Sequence, residues 1–228
     1  MSELLVKDRE FVTPGDVLAT GLDYLPGNGC YREKDEIKSK LLGLVKLKER
    51  YISIIPLAGV YSPRQGDGII GVITDLQPNM WIVDINSPYD AILLISEASN
   101  DFIDTRRRDL SSYYDIGDII YAKILSVTKS KHITLTMKDR KTKKLISGKI
   151  MSITPSKVPR LIGKMGSMIE LIKTKTNCQI VVGQNGVVWI KGEKESLASK
   201  AIKLIESEAH IEGLTDKVTK LLEGDLDE

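Results

Sequence analysis

Up to about residue 140 the apolar positions form short runs broken by glycine and proline, and no helical period is sustained. Residues 12–63 are β-like. Pro14-Gly15-Asp16 and Pro26-Gly27-Asn28-Gly29 are turn signals. Leu41–Val45 and Tyr51–Ile55 read as strands around a charged turn at Lys46–Arg50. This predicts a small β-sandwich or half-barrel. Residues 66–138 predict five strands: Ile69–Thr74, Trp81–Ile85, Ala91–Ile95, Ile119–Val127 and Ile133–Met137. The last alternates cleanly, with Ile133, Leu135 and Met137 on one face and His132, Thr134 and Thr136 on the other. A long connection rich in Ser, Asp and Arg separates the third strand from the fourth. Five short strands with one long crossing predict an OB-fold barrel.

Beyond residue 146 the period changes. Ser147–Ile153 alternates like a strand. A short helix through Leu161 and Ile162 then leads into the tight turn Gly163-Lys164-Met165-Gly166. A second helix places Met168, Leu171 and Ile172 on one face. Gln179–Val182 and Val187–Ile190 flank Asn185-Gly186, a strong hairpin signal between β-branched runs. A further helix gathers Leu197, Ala198, Ala201, Ile202 and Ile205 on one face. Leu214–Leu222 is a short amphipathic helix before an acidic tail. The expected fold class is mainly β plus α/β, in three domains: 1–63, 64–142 and 147–228.

The glycine turn carries the candidate chemistry. Gly163 and Gly166 permit torsions that a side chain forbids, and Lys164 and Met165 sit at the tip. The turn is expected to aim the N–H groups of the following helix outward, where negative charge is favoured. A phosphate backbone could lie across it, with Arg160 beside it. Spacing alone is weak: Gly68-Ile69-Ile70-Gly71 has the same spacing and reads as strand, because it continues into Val72 and Ile73. Context separates the two. The order strand-helix-turn-helix-strand-strand-helix, with Ile162-Gly163-Lys164-Met165-Gly166 at its centre, resembles the eukaryotic-type (type I) KH domain. That resemblance implies a clamp on single-stranded RNA.

Charge sharpens this picture. The net charge over 228 residues is only +2. Yet Lys129 to Cys178 holds thirteen Lys or Arg against Asp139 and Glu170, a net of +11, whereas Glu193 to Glu228 carries a net of −5. A basic block of that density points to a polyanion. Arg106-Arg107-Arg108 on the long connection, Lys123, Lys129 and Lys131 suit phosphate contact. The Arg triplet could equally pair with Asp101, Asp104 and Asp109. His132 and His210 are isolated, and no nucleophile constellation, paired carboxylates, metal cluster or nucleotide-binding glycine loop can be placed, so no catalytic role and no cofactor are expected. Cys30 and Cys178 make neither a disulfide framework nor a zinc site. No apolar run approaches a membrane span, and Met1-Ser2-Glu3-Leu4 lacks a signal-peptide pattern. The expectation is a reduced, cytoplasmic protein.

Gly66-Asp67-Gly68-Ile69-Ile70-Gly71-Val72-Ile73, Gly117-Asp118-Ile119-Ile120-Tyr121-Ala122-Lys123-Ile124 and Ile133-Thr134-Leu135-Thr136-Met137-Lys138 are similar to the S-one-type RNA-binding OB domain. The usual ring positions of its stacking face hold Asn79 and Ile82, and its His position holds Leu94. Trp81 lies one residue out of phase, either in the core or as a stacking platform. The full order also resembles the RNA-binding cap subunit of the archaeal exosome. The matching runs are Val12-Thr13-Pro14-Gly15-Asp16-Val17-Leu18, Tyr24-Leu25-Pro26-Gly27-Asn28-Gly29, Ile54-Ile55-Pro56-Leu57, Tyr61-Ser62-Pro63 and Val182-Gly183-Gln184-Asn185-Gly186. This resemblance implies a non-catalytic subunit, three copies on a hexameric phosphorolytic ring, capture of RNA for 3′-to-5′ degradation, and docking through the N-terminal domain. Poly(A) is among the RNAs it suggests. Two other classes are a transcription elongation factor, which usually pairs its KH modules, and a phosphorolytic exonuclease, whose large catalytic domains find no room here.

Overall fold

The computed structural model describes residues 2–57, 59–99, 109–209 and 213–224. Met1–Gly59 and Val60–Glu228 form two compact units.

The first unit is a sandwich of eight short strands: β1 (Glu3–Leu4), β2 (Phe11–Val12), β3 (Val17–Thr20), β4 (Leu25–Pro26), β5 (Cys30–Glu33), β6 (Glu36–Ser39), β7 (Gly43–Lys48) and β8 (Tyr51–Pro56). One sheet has the order β1-β3-β6-β5 and the other β2-β7-β8-β4. Leu18, Ala19 and Ile37 from the first meet Val12, Val45, Ile52 and Ile54 from the second in one core. The sandwich expectation is met, but one strand boundary is not. The charged stretch read as a turn from Lys46 belongs to β7, and the hairpin turns only at Glu49-Arg50. Lys46 and Lys48 occupy the solvent positions of an alternating strand, so their charge mimicked a turn. Gly43 lets β7 lie close to β8, since a Cβ there would come within 2.3 Å of the Ile55 carbonyl oxygen.

The second unit begins with the barrel: β9 (Gly68–Gln77), β10 (Met80–Asp84), β11 (Ala91–Leu94), β12 (Ile119–Val127) and β13 (Ile133–Thr136). β9 pairs with β10 and β12, β10 with β11, and β13 with both β11 and β12, which closes the barrel. The β11–β13 pairing is parallel. Inward positions (Ile69, Ile73, Val83, Leu93, Ile120, Ile124, Ile133, Leu135) fill it. Two expectations are corrected. Ile95 opens a short helix, α1 (Ile95–Ala98), instead of ending a strand. A further strand, β14 (Lys143–Leu145), pairs with the first half of β12. Three lysines within five residues hid it, because solvent-facing cations leave no apolar alternation to read.

The remainder has the β-α-α-β-β-α order expected of a type I KH domain. Its sheet, ordered β15-β17-β16, comprises β15 (Lys149–Ser152), β16 (Gln179–Val182) and β17 (Val187–Lys191). The helices are α2 (Val158–Ile162), α3 (Ser167–Thr176), α4 (Glu195–Ser207) and α5 (Leu214–Glu223). Val188 and Ile190 point into the helix-side core with Ile172, Ala201, Ile202, Ile205 and Val218. Val187 and Trp189, on the other face of β17, join Ile70 and Leu145 of the barrel in a small seam core. Burial on both faces explains why Val187-Val188-Trp189-Ile190 is continuously apolar.

The Asn185-Gly186 pair does more than close a hairpin. A two-residue Asn-Gly turn would put both residues at positive φ. Here only Gly186 is (φ 81°); the four-residue turn 183–186 closes through Gly186 N–H to Gly183 O at 3.1 Å, and Gly183 N–H bonds Val187 O at 2.8 Å. The Asn185 side chain is fully buried instead. Its amide donates to Ile70 O (2.7 Å) and Ile85 O (2.8 Å), and its oxygen accepts from Ile70 N–H at 3.3 Å. Gln184 N–H adds a bond to Gly68 O (2.8 Å). The KH hairpin is thus latched to the barrel.

Candidate nucleic-acid interface

The glycine turn sits between α2 and α3 with the geometry its residues require. Gly163 adopts φ 75°, ψ 177° and Gly166 φ 84°, ψ 6°. The two glycines serve different needs. A Cβ on Gly163 would lie 2.7 Å from Met168 Cβ and 2.8 Å from its backbone nitrogen, whereas one on Gly166 would meet nothing within 4 Å. Gly163 therefore packs the turn against α3, and Gly166 leaves its outer side open. Met165, itself left-handed at φ 53°, is fully exposed, and Lys164 is exposed beside it. An apolar side chain held fully in water at a strained tip has no role in this core.

The expectation of outward N–H groups at the start of α3 needs correction. Gly166 N–H donates to Gly163 O at 3.2 Å and Ser167 N–H to Lys164 O, closing a 3₁₀ turn. The turn offers a ligand its open glycine backbone, the Lys164 ammonium and the Met165 side chain. The entry to α2 is tied to α4. Glu206 of α4 accepts from Thr154 N–H (2.7 Å) and Thr154 Oγ1 (2.8 Å), and Lys157 Nζ donates to Glu206 O (2.7 Å). Arg160 is exposed in the last turn of α2, three residues before Gly163.

The described barrel candidates, Lys123 and Lys131, do not gather at one place. Arg106, Arg107 and Arg108 lie outside the described residues. Lys131 is exposed on the turn that feeds β13. β11 and β13 run parallel, so this turn lies at the opposite end of the barrel from the exit of β11. Lys123 pairs with Thr136, at the other end of β13 from Lys131, and its Nζ lies 3.1 Å from Asp139 Oδ2. The Lys141 backbone N–H and then the Lys123 ammonium hold the Asp139 carboxyl below its ordinary range. Trp81 is fully buried, donates from Nε1 to Tyr114 O at 2.9 Å and meets the Tyr114 ring edge-on at 5.4 Å. It is core and cannot stack on a base. Around it the outward face of β10 and β11 is aliphatic: Met80 pairs with Leu94, and Ile82 with Ile92. Two features were not legible in the sequence, the Asn185 latch and the strand formed by the basic residues of β14. The unbroken apolar run of β17 was only an indirect signal for the first.

Known proteins align with this arrangement along its length. Three family profiles match in order: the N-terminal region described as that of the exosome complex exonuclease RRP4 at residues 11–48, the RRP4 S1 domain at 60–126 and a KH domain at 148–196. The exosome complex component Rrp4 of Methanothermus fervidus is 45% identical over 221 residues, spanning 96% of this chain and 97% of the relative. That of Thermococcus kodakarensis is 46% identical, spanning 97% and 88%. The chain belongs to the Rrp4 family of exosome complex components. A crystal structure of an exosome complex RNA-binding protein superimposes with a TM-score of 0.67 at 35% identity, covering 73% of this chain and 97% of that one. Membership fits the order of sandwich, barrel and KH module better than an elongation factor with paired KH modules does. Among the described residues, no helix is long and apolar enough to cross a membrane, and no group of three or more His, Cys, Asp or Glu could hold a metal ion.

Proposed function

We propose that this chain is the RNA-binding cap of an exosome: it captures single-stranded RNA and delivers it to a phosphorolytic ring without cutting it. The observation that carries this is the open glycine turn, with Gly166 unobstructed and Lys164 and Met165 exposed, in a chain related along its length to archaeal exosome components. Lys164 and Arg160 meet backbone phosphates, and Met165 packs on sugar or base. Lys131 and Lys123 add positive charge at the two ends of β13, and the Arg106–Arg108 triplet contacts further phosphates. The N-terminal sandwich docks on the ring, three copies to a hexamer. Its outward residues Phe11, Tyr51 and Ile55 are large apolar side chains in water, the kind of surface that a partner covers.

One family profile carries the word exonuclease, so the non-catalytic reading needs its own test. The purified chain, incubated with 5′-labelled RNA and either phosphate or magnesium, should leave the RNA full-length on a denaturing gel. Added to ring subunits that degrade RNA slowly, it should accelerate them, because linked sites raise effective concentration to roughly millimolar. Shortening by the chain alone would overturn the non-catalytic assignment. Failure to accelerate the ring would overturn the cap assignment.

A further inference from the structure

Beside the barrel–KH seam lies a polar cleft of about 230 Å³, lined by Tyr121, Lys123, Asp139 and Lys141 and opened by Gly66 and Gly68. It is away from the β10–β11 face and separate from the glycine turn. Three features show that it is built. A Cβ on Gly68 would lie 2.2 Å from the Tyr121 hydroxyl, so the glycine makes room for that group. Thr142 Oγ1 donates to both Met137 O and Asp139 O at 2.6 Å, fixing the bend that aims Asp139 and Lys141 inward. Asp139 in turn holds Lys123 at 3.1 Å and accepts from Lys141 N–H, also at 3.1 Å.

What remains unsatisfied defines the ligand. Among the described residues, the Lys141 ammonium has no ion pair and the Tyr121 hydroxyl has no hydrogen-bond partner. Burial raises the Tyr121 phenol above its ordinary pKa, so it stays a neutral donor. The carboxylate, the one strong acceptor, already takes a bond on each oxygen, from Lys123 and from Lys141 N–H. A nucleobase edge would have to share it with both, and the rest of the lining is dominated by donors. An oxyanion needs only donors and positive charge, which Lys123, Lys141 and Tyr121 supply.

We propose that this cleft is a second phosphate subsite, which holds a backbone phosphodiester of the RNA clamped by the KH turn. The inference rests on the RNA-binding reading above. Continuity supports that source. Gly68 O accepts from Gln184 N–H of the KH hairpin, and Tyr121 packs in the seam core with Val187 and Trp189. On β14, Lys143 sits opposite Tyr121 with its ammonium 5.9 Å from the Trp189 ring centroid, extending the basic lining toward the KH module. A strand held here gains no sequence preference, because only phosphate is read.

The test uses the full chain and fluorescein-labelled oligouridylate, with anisotropy titrations at several salt concentrations and circular dichroism to confirm folding. The variants are Lys141→Glu, Tyr121→Phe and Lys203→Glu; Lys203 is an exposed lysine of α4 away from the cleft and serves as a charge-matched control. Lys141→Glu should lose about tenfold in affinity and flatten the salt slope by roughly 0.7. Tyr121→Phe should lose about tenfold, as for one hydrogen bond to a charged acceptor, with the slope unchanged. Lys203→Glu should do neither. If Lys141→Glu matches Lys203→Glu, or Tyr121→Phe matches wild type, the subsite is overturned, since diffuse charge attraction would not register a lost hydroxyl. If the wild-type chain does not bind RNA, the RNA reading itself falls.

Discussion

Asn185 offers a sharp test of how the barrel and KH module are joined. Its side chain makes two donated bonds of 2.7 and 2.8 Å and one longer accepted bond of 3.3 Å, all to barrel backbone, with no exposure to solvent. Asn185→Ala leaves the carbonyls of Ile70 and Ile85 without these donors. At roughly 1–1.5 kcal/mol for each lost bond, the cost is about 3 kcal/mol. That corresponds to a fall in Tm of roughly 6–12 °C for a unit of this size. Asn185→Asp should be worse by about 1 kcal/mol or more, although it is nearly isosteric. It sets a carboxylate against two carbonyl oxygens, and burial penalises its charge. The chain supplies its own probe. Its two tryptophans, Trp81 in the barrel and Trp189 at the seam, both lie in the second unit, so tryptophan fluorescence during urea unfolding leaves the sandwich silent. The expected order of stability is wild type, then Asn185→Ala, then Asn185→Asp. An aspartate variant more stable than the alanine variant would refute the donor-based account of the latch.

Other outcomes follow from the same geometry. Gly166→Asp should keep the fold at a cost of about 1 kcal/mol for its left-handed backbone (φ 84°), which Asp tolerates, because its Cβ points into open space, and should weaken RNA binding about tenfold through a carboxylate placed beside phosphate. Gly163→Ala should instead lower Tm, since its Cβ would strike Met168; the reverse pattern would reassign the two glycines. Asp139 has a depressed folded-state pKa, so its contribution is present above the ordinary carboxylate range and lost as pH falls through the folded value. Asp139→Asn should therefore flatten the acid side of the stability profile, and an unchanged profile would mean the pairing with Lys123 is fully screened. Removing the sandwich requires a cut at Gly59, because Tyr61 is buried in the barrel with its hydroxyl 2.6 Å from Asp67. A chain starting at Val60 should bind RNA nearly as well as the whole and lose its effect on the ring; if it still accelerates degradation, the sandwich is not the dock.

The sequence by itself determined most of the element order. β-branched alternation set the strands of the barrel, and the glycine turn between helical periods set the KH module, because these signals act over a few residues. The identity of the turn as Gly163-Lys164-Met165-Gly166 was legible for the same reason. What the sequence could not decide depended on distant partners. Lys46 and Lys48 read as turn residues until pairing with β8 showed them to be the solvent side of a strand. Trp81 stood open between base platform and core until Tyr114, thirty-three residues away, supplied an acceptor for its indole. The local code for Asn185-Gly186 is a hairpin, and nothing within that stretch tells that Asn185 is spent on Ile70 and Ile85, more than ninety residues earlier. The seam cleft, too, exists only after folding. Gly68, Tyr121 and Lys141 carry no joint signal in the sequence and line one cleft only because β9, β12 and the bend after β13 bring them side by side. Local torsional preference is written residue by residue. Hydrogen-bond satisfaction across the barrel and its seam is decided only once the chain has closed on itself.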